Sequence, residues 1–81
     1  MPRIPRDISG DDLIKRLKKL GYQVTRQKGS HIRLTALVNE KEHDITIPNH
    51  QAIKIGTLNN ILNEISGIFN LTKEKLLEDL F

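Results

Sequence analysis

The residues best suited to chemistry lie in one short stretch, where a glycine separates two strand-like runs. In order, this stretch supplies an ammonium group, a flexible backbone position, a hydroxyl, an imidazole and a guanidinium, from Lys28, Gly29, Ser30, His31 and Arg33. Histidine is the side chain whose ordinary pKa, about 6.5, allows it to accept and release a proton near neutral pH. His31 is therefore the candidate general base, and the neighbouring cations favour an anionic ligand.

An RNA backbone offers a reaction that fits these groups. If His31 removed the proton from a ribose 2′-hydroxyl, that oxygen could attack the adjacent phosphorus, while Arg33 or Lys28 stabilised the added negative charge. The backbone amides of the glycine–serine turn, or the serine hydroxyl, could hold a phosphate oxygen. His50 is a candidate proton donor for the leaving 5′-oxygen, although the sequence does not place it in space.

Each of these residues also has a simpler interpretation. A histidine at the start of a strand is often an ordinary hairpin residue, and Gly29 and Ser30 could serve the turn alone. A metal site formed by His31, His43 and His50 is not favoured, because their spacing fits no standard site and His43 shares a strand face with buried isoleucines. A serine–histidine nucleophile is not favoured either, because neighbours in a strand point to opposite faces.

Alternating polarity predicts three strands in the middle of the chain. They are Tyr22–Gln27, with Tyr22 and Val24 towards the core, His31 to about Val38, and His43–Ile47. A polar turn over Asn39–Glu42 precedes the third strand, and Pro48 ends it because proline cannot donate to a ladder. Short connections of this kind predict an antiparallel meander. If the apolar face is buried, the residues on the opposite face are His31, Arg33, Thr35, Thr25 and Gln27.

Apolar residues at helical spacing predict helices on the buried side of this sheet. The first helix covers about Gly10–Leu20 and is capped by Ser9. The second begins at about Gly56 or Thr57 and ends at Ile65, because Gly67 breaks the pattern. A short amphipathic helix begins at the cap Thr72. The predicted fold class is α+β, an αβββα arrangement with a three-stranded antiparallel sheet, helices on one face and a short C-terminal helix.

Length and composition narrow the class of protein. The 81 residues predict one domain, spanning 1–81, near the size at which one core is only just sufficient. The absence of cysteine excludes disulfides and thiolate zinc sites, and no run has the length of a signal peptide core or a membrane span, so we expect a cytoplasmic protein. A net charge of +3 permits a polyanionic partner. The outer surface of the first helix carries a run of basic residues, Lys15, Arg16, Lys18 and Lys19. Most such runs are solvated faces, and the alternative is a contact for a phosphate backbone or an acidic partner.

Several stretches, taken in order, carry a resemblance to a known family. They are Arg26–His31, Ile45–His50 and Ile55–Leu62, together with the opening Ile4–Gly10 and the end of the first helix, Lys18–Tyr22. Each motif is short, but their order and spacing cover nearly the whole chain. In these respects the sequence resembles the HicA mRNA interferase toxins of type II toxin–antitoxin modules.

The resemblance implies a fold like that of double-stranded-RNA-binding domains and a toxin that cleaves mRNA and so inhibits translation and growth. It implies no cofactor and no metal, and a HicB-like antitoxin that covers the active surface. The family's catalytic histidine lies in its Gly-Ser-His motif, which corresponds here to His31. The predicted RNA-binding residues are Lys28, Gly29, Ser30, Arg33, Arg26, His50 and Lys54.

Two functions of other classes are also compatible with these residues. One is a non-catalytic RNA-binding module, in which shape and 2′-hydroxyl contacts suffice and His31 is only a contact residue. The other is a protein-interaction domain whose only ligand is another protein. The first predicts RNA binding that weakens steeply with salt, whereas the second predicts little effect of salt on any association with RNA.

Overall fold

The computed structural model describes residues 4–81. Its helices and strands follow one another in the order that alternating polarity and helical periodicity predict. The elements are α1 (Gly10–Leu17), a 3-10 turn (Lys18–Leu20), β1 (Gln23–Lys28), β2 (His31–Val38), β3 (Lys41–Pro48), α2 (Ile55–Phe69) and α3 (Lys73–Leu80). Among these described residues, no helix is both long and apolar enough to cross a membrane.

The three strands form one antiparallel sheet in the order β1-β2-β3. In the central strand Ile32 pairs with Ile47 and Leu34 with Ile45, and all four side chains are buried beneath the helices. The side chains of the intervening residues lie on the opposite face, which carries no helix. The predicted α+β fold, with helices on one side of a three-stranded antiparallel sheet, is therefore confirmed.

The N-termini of α1 and α3 follow local capping signals, whereas α2 differs from the prediction at its C-terminus. The hydroxyls of Ser9 and Thr72 accept hydrogen bonds from the first turns of α1 and α3, as the sequence predicted. The predicted break of α2 at Gly67 is wrong, because the helix continues to Phe69 and ends at Asn70, which adopts a left-handed conformation. A mid-helix glycine costs about 1 kcal/mol, which packing of the last turn against the core offsets.

The sheet also differs in detail from the predicted strands. The turn between β2 and β3 contains only Asn39 and Glu40, both with positive φ, so β3 begins earlier than expected. In β1 the predicted burial of Val24 is wrong, since 45% of its surface is exposed on this edge strand. Gln27 pairs with the buried Ile32, so it does not belong to the outer face as predicted.

A polar contact joins the sheet to α2 at the edge of the core. Tyr22 is buried, and its hydroxyl lies 2.7 Å from Nδ1 of His43, whose Nε2 lies 3.2 Å from a Glu64 carboxylate oxygen. In the neutral imidazole, a proton on Nε2 is donated to the carboxylate, which only accepts, and Nδ1 then accepts from the tyrosine hydroxyl. Burial, with a smaller contribution from Glu64, raises the pKa of Tyr22 to about 12. His43 thus belongs to the core side of β3, as its position in the strand predicted.

Candidate functional site

The loop that connects β1 to β2 places His31 at the end of an exposed hairpin. Lys28 and His31 are cross-strand partners, and Gly29 and Ser30 form the turn between them. Gly29 has a φ of 59°, which side chains other than glycine, asparagine and aspartate rarely adopt. The space around it is open, so the preference for glycine at this position comes from the backbone conformation and not from a lack of space. The imidazole of His31 is consequently presented to solvent beside the ammonium of Lys28.

The register of the sheet brings further cations to the same surface. Arg33 lies opposite Arg26 on one side and Thr46 on the other. The side chains of Arg26, Lys28, His31, Arg33 and Thr46 line one cavity of about 270 Å³. We call these five residues the basic cluster. It occupies the outer face of the sheet at the end where β1 stops and β2 starts.

A β-bulge brings two of the five residues of the basic cluster to the outer face. The pairing of β1 with β2 shifts between Val24 and Arg26, leaving Thr25 as the extra residue. Strict alternation from Tyr22 would have placed Arg26 on the core face of β1, the face on which Val24 pairs with Leu34. The bulge reverses the faces of the residues that follow, so Arg26 and Lys28 join His31 and Arg33 on the outer face.

The basic cluster is electrostatically unfavourable in the free protein. Arg26 and Arg33 face each other across two strands, and like charges in directly opposite positions are destabilising. Within residues 4–81, no carboxylate forms a salt bridge with Arg26, Lys28 or Arg33. An arrangement that repels itself and is not neutralised internally is suited to an anion supplied from outside.

Acidic residues mark where the basic surface ends. The hydroxyl of Thr35 donates to an oxygen of Asp44 at 2.6 Å and lies 2.9 Å from the hydroxyl of Thr25, forming a polar row across the sheet. Glu42 follows on the same face of β3, opposite the exposed Leu37. The positive region of the outer face is thereby limited to the end that carries His31.

The other predicted site residues lie outside the cavity of the basic cluster. The carbonyl of Ser30 accepts a 2.7 Å hydrogen bond from the Asn49 amide, so part of its role is to hold the loop after β3. His50 is exposed in that loop, and its carbonyl accepts from the Gly10 amide. Lys54 precedes α2 and lines a separate cavity with Arg6. Of the predicted residues, the structure brings Arg26, Lys28, His31 and Arg33 together.

Two residues beside these sites were not predicted. Thr46 could have been identified, because alternation with Ile45 and Ile47 places it on the outer face. Arg6 could not, because its position beside Lys54 depends on contacts between distant parts of the chain.

The exposed imidazole of His31 can act as a proton acceptor, and the neighbouring guanidinium groups can bind phosphate oxygens. No group of three or more His, Asp or Glu side chains that could hold a metal ion occurs in the described part of the chain. Nor does any side chain described here hydrogen-bond to the His31 ring and orient it. The arrangement therefore offers one proton-transfer group surrounded by positive charge.

Comparison with known proteins identifies one family. A family model described as "HicA toxin of bacterial toxin-antitoxin" matches residues 10–66, more than half of the chain. The match begins at α1 and ends within α2, so it includes the whole sheet and the basic cluster. The resemblance inferred from the short motifs is thereby confirmed. No curated protein and no solved structure gives a significant match.

Proposed function

The chain belongs to the HicA toxin family of bacterial toxin–antitoxin systems, and we propose that its toxic activity is metal-independent cleavage of mRNA with His31 as the general base. One observation carries this proposal. The only exposed histidine of the sheet surface lies within a cluster of three cations that no carboxylate in residues 4–81 neutralises. Such a surface favours an anion that is also a substrate for proton abstraction.

The proposed reaction is an internal transfer of the phosphodiester. Neutral His31 removes the proton from a ribose 2′-hydroxyl, and the 2′-oxygen forms a bond to the adjacent phosphorus. Arg33 and Arg26 stabilise the added negative charge on the phosphate oxygens, and Lys28 holds a neighbouring oxygen. The bond to the 5′-oxygen then breaks, and that oxygen takes a proton. The products are a 2′,3′-cyclic phosphate and a free 5′-hydroxyl.

His50 is the proposed proton donor to the leaving oxygen. Its loop follows Pro48, which pairs with His31, so the two histidines belong to the same end of the sheet. The bond from the Asn49 amide to Ser30 holds this loop against the hairpin, and the bond from the Gly10 amide to the His50 carbonyl holds it against α1. The other predicted contacts, from the Gly29 and Ser30 turn and from Lys54, would bind phosphates on either side of the cleaved bond.

The cellular role follows from the family. A toxin–antitoxin family implies an antitoxin partner, and we propose that a HicB-like protein covers the surface around His31. The toxin would act on mRNA in the cytoplasm and so inhibit translation and growth. Acidic side chains of such a partner could neutralise the basic cluster and exclude RNA at the same time.

A non-catalytic RNA-binding module is the second candidate function. The observation that favours it is the lack, among the described residues, of a side chain that orients the His31 ring. Catalytic histidines commonly rely on such a partner to fix the tautomer. In this alternative the same cations bind RNA and His31 is one more contact.

Incubation of long single-stranded RNA with the protein in EDTA separates the two candidates. Wild type should produce fragments ending in 2′,3′-cyclic phosphate, and His31→Ala should produce none while retaining most of the RNA affinity. Gln27→Ala is the matched control, because Gln27 is exposed on the same hairpin but pairs on the opposite face. Intact RNA with folded, antitoxin-free wild type would favour the binding module.

A further inference from the structure

A second cavity lies across the loop from the basic cluster, and Lys54, the phosphate contact proposed above, is one of the residues that line it. Its volume is about 390 Å³, and it is lined by Arg6, Asp7, Ala52, Ile53, Lys54 and Ile55. Arg6 and Lys54 are exposed, and within residues 4–81 neither forms a salt bridge. Two cations and the single carboxylate of Asp7 therefore line an open, partly apolar recess, whose net positive charge suits phosphates with an adjoining sugar or base.

Backbone hydrogen bonds fix the loop that lies between this cavity and His31. The Asn49 amide donates to the Ser30 carbonyl at 2.7 Å, and the Ile53 amide donates to the Ile8 carbonyl, also at 2.7 Å. Between these two bonds the chain advances by four residues, which span at most about 14 Å. A strand of RNA bound at the hairpin can reach the second cavity within a few nucleotides.

The distribution of charge favours an RNA strand that runs from His31 across the loop to the second cavity over one that runs along the outer face of the sheet. Beyond the basic cluster, the outer face presents the carboxylates of Asp44 and Glu42, which repel phosphates. Across the loop, the strand would instead meet exposed His50 and then the two cations of the second cavity. Electrostatics thus guides an RNA strand off the sheet at the end that carries His31.

We propose that the Arg6–Lys54 cavity is a second phosphate subsite for the single-stranded RNA that is bound at His31. The inference rests on the proposed function for the identity of the ligand. It adds the path of the strand, which crosses the loop between β3 and α2 and places the next phosphates between Arg6 and Lys54. The subsite binds and positions RNA and takes no part in proton transfer.

Asp7 allows a test of opposite sign. Its carboxylate belongs to the lining of the same cavity and opposes a bound phosphate. Asp7 has a φ of 58°, a conformation that asparagine tolerates as well as aspartate. Asp7→Asn therefore removes the negative charge without straining the backbone, and it should strengthen RNA binding.

The main experiment compares two double variants that remove the same charge at different places. Arg6→Gln/Lys54→Gln alters the subsite, and Lys18→Gln/Lys19→Gln alters exposed residues after α1. Both are made in a His31→Ala background, so that RNA stays intact, and binding to a fluorescent single strand of roughly 12 nucleotides is measured against salt concentration. The subsite variant should lower the slope of log K against log[salt] by about 1.4, the value for two phosphates on a single strand.

The length of the RNA and the Lys18/Lys19 control variant provide two further comparisons. The subsite variant should bind a dinucleotide as the background protein does, since a dinucleotide cannot reach both places. An equal loss of slope in the Lys18/Lys19 variant would mean diffuse charge and overturn the proposal, as would weaker binding by Asp7→Asn. Loss of antitoxin binding with unchanged RNA binding would assign the cavity to the protein partner, and would also overturn it.

The outcomes separate this proposal from the proposed catalysis. If wild type fails to cleave RNA but the subsite variant shows the expected loss of slope, the path across the loop holds and the protein is an RNA-binding module. If wild type cleaves RNA and the subsite variant binds unchanged, catalysis at His31 stands and the subsite is refuted.

Discussion

Gly10 controls how closely the helical layer approaches the loop behind the functional surface. A Cβ atom at this position would lie 2.4 Å from the carbonyl oxygen of Pro48 and 3.0 Å from the Cα atom of Asn49. Both are backbone atoms, so they cannot rotate away as a side chain would. Gly10→Ala must therefore move α1 away from the loop and strain the 2.9 Å hydrogen bond from the Gly10 amide to the His50 carbonyl.

The size of the effect follows from three contributions. Overpacking by one methyl group in a well-packed region costs about 1–3 kcal/mol, and loss of one backbone hydrogen bond costs about 0.5–1.5 kcal/mol. The better helix propensity of alanine returns at most about 1 kcal/mol. The free energy of unfolding should therefore fall by about 1–3 kcal/mol. In a chain of this length each 1 kcal/mol lowers the melting temperature by about 4–8 °C.

Gly67→Ala is the matched control for this prediction. Gly67 lies inside α2, and nothing lies within 4 Å of the Cβ that alanine would add. The same substitution there should raise the free energy of unfolding by about 0.5–1 kcal/mol. Urea unfolding followed by far-UV circular dichroism measures both variants. If Gly10→Ala is as stable as wild type with an unchanged m-value, the close approach of α1 to Pro48 is refuted.

Two further perturbations concern the core contact and the hairpin turn. Tyr22→Phe should lower stability by about 1–3 kcal/mol, because the half-buried Nδ1 of His43 loses its hydrogen-bond partner. The pKa of Tyr22 is raised from 10 to about 12 in the folded protein, so the tyrosine of the unfolded chain loses its proton at a lower pH. The free energy of unfolding of wild type should therefore fall as the pH rises from about 10 to about 12. Urea unfolding of Tyr22→Phe over the same pH range should show no such fall. At the turn, Gly29→Val should reduce RNA cleavage and stability, whereas Gly29→Asn, which tolerates the φ of 59°, should retain both. Equal behaviour of the two Gly29 variants in a gel assay of RNA cleavage would contradict the conformational argument.

Features determined by neighbouring residues were predictable from the sequence. Ser9 and Thr72 cap their helices because the hydroxyl and the free amides are only three residues apart. In β2, the strict alternation of Ile32, Leu34 and Ala36 determines which face is buried, and with it the exposure of His31. The most important chemical group of the candidate site was therefore accessible to local reasoning.

The surroundings of His31 were less predictable, because they depend on pairing between strands. Nothing in the residues from Gln23 to Lys28 indicates that the register shifts at Thr25. Without this bulge, Arg26 would belong to the core face, which a buried guanidinium would destabilise. Arg26 was predicted as an RNA contact, yet strict alternation from Tyr22 and Val24 would place it on the core face.

The C-terminus of helix α2 and the second cavity also depend on tertiary contacts that the sequence did not reveal. Gly67 lowers helix propensity locally, but Phe69 packs against the ring of Tyr22, and this tertiary contact extends the helix past the glycine. Arg6 and Lys54 are far apart in sequence, and they meet because the Ile53 amide bonds to the Ile8 carbonyl. Periodicity carries no information about contacts of this kind.

The basic cluster links the stability of the protein to its proposed regulation. Repulsion between Arg26 and Arg33 opposes folding, because the two side chains are brought together only in the folded protein. An anion bound at the basic cluster reduces that repulsion. Any ligand that binds the folded form alone stabilises it by mass action. On the proposed function, RNA and the antitoxin both gain from neutralising the same cations, so each excludes the other from the surface. Silencing then requires only occupancy of the basic cluster, without a change in the conformation of the toxin.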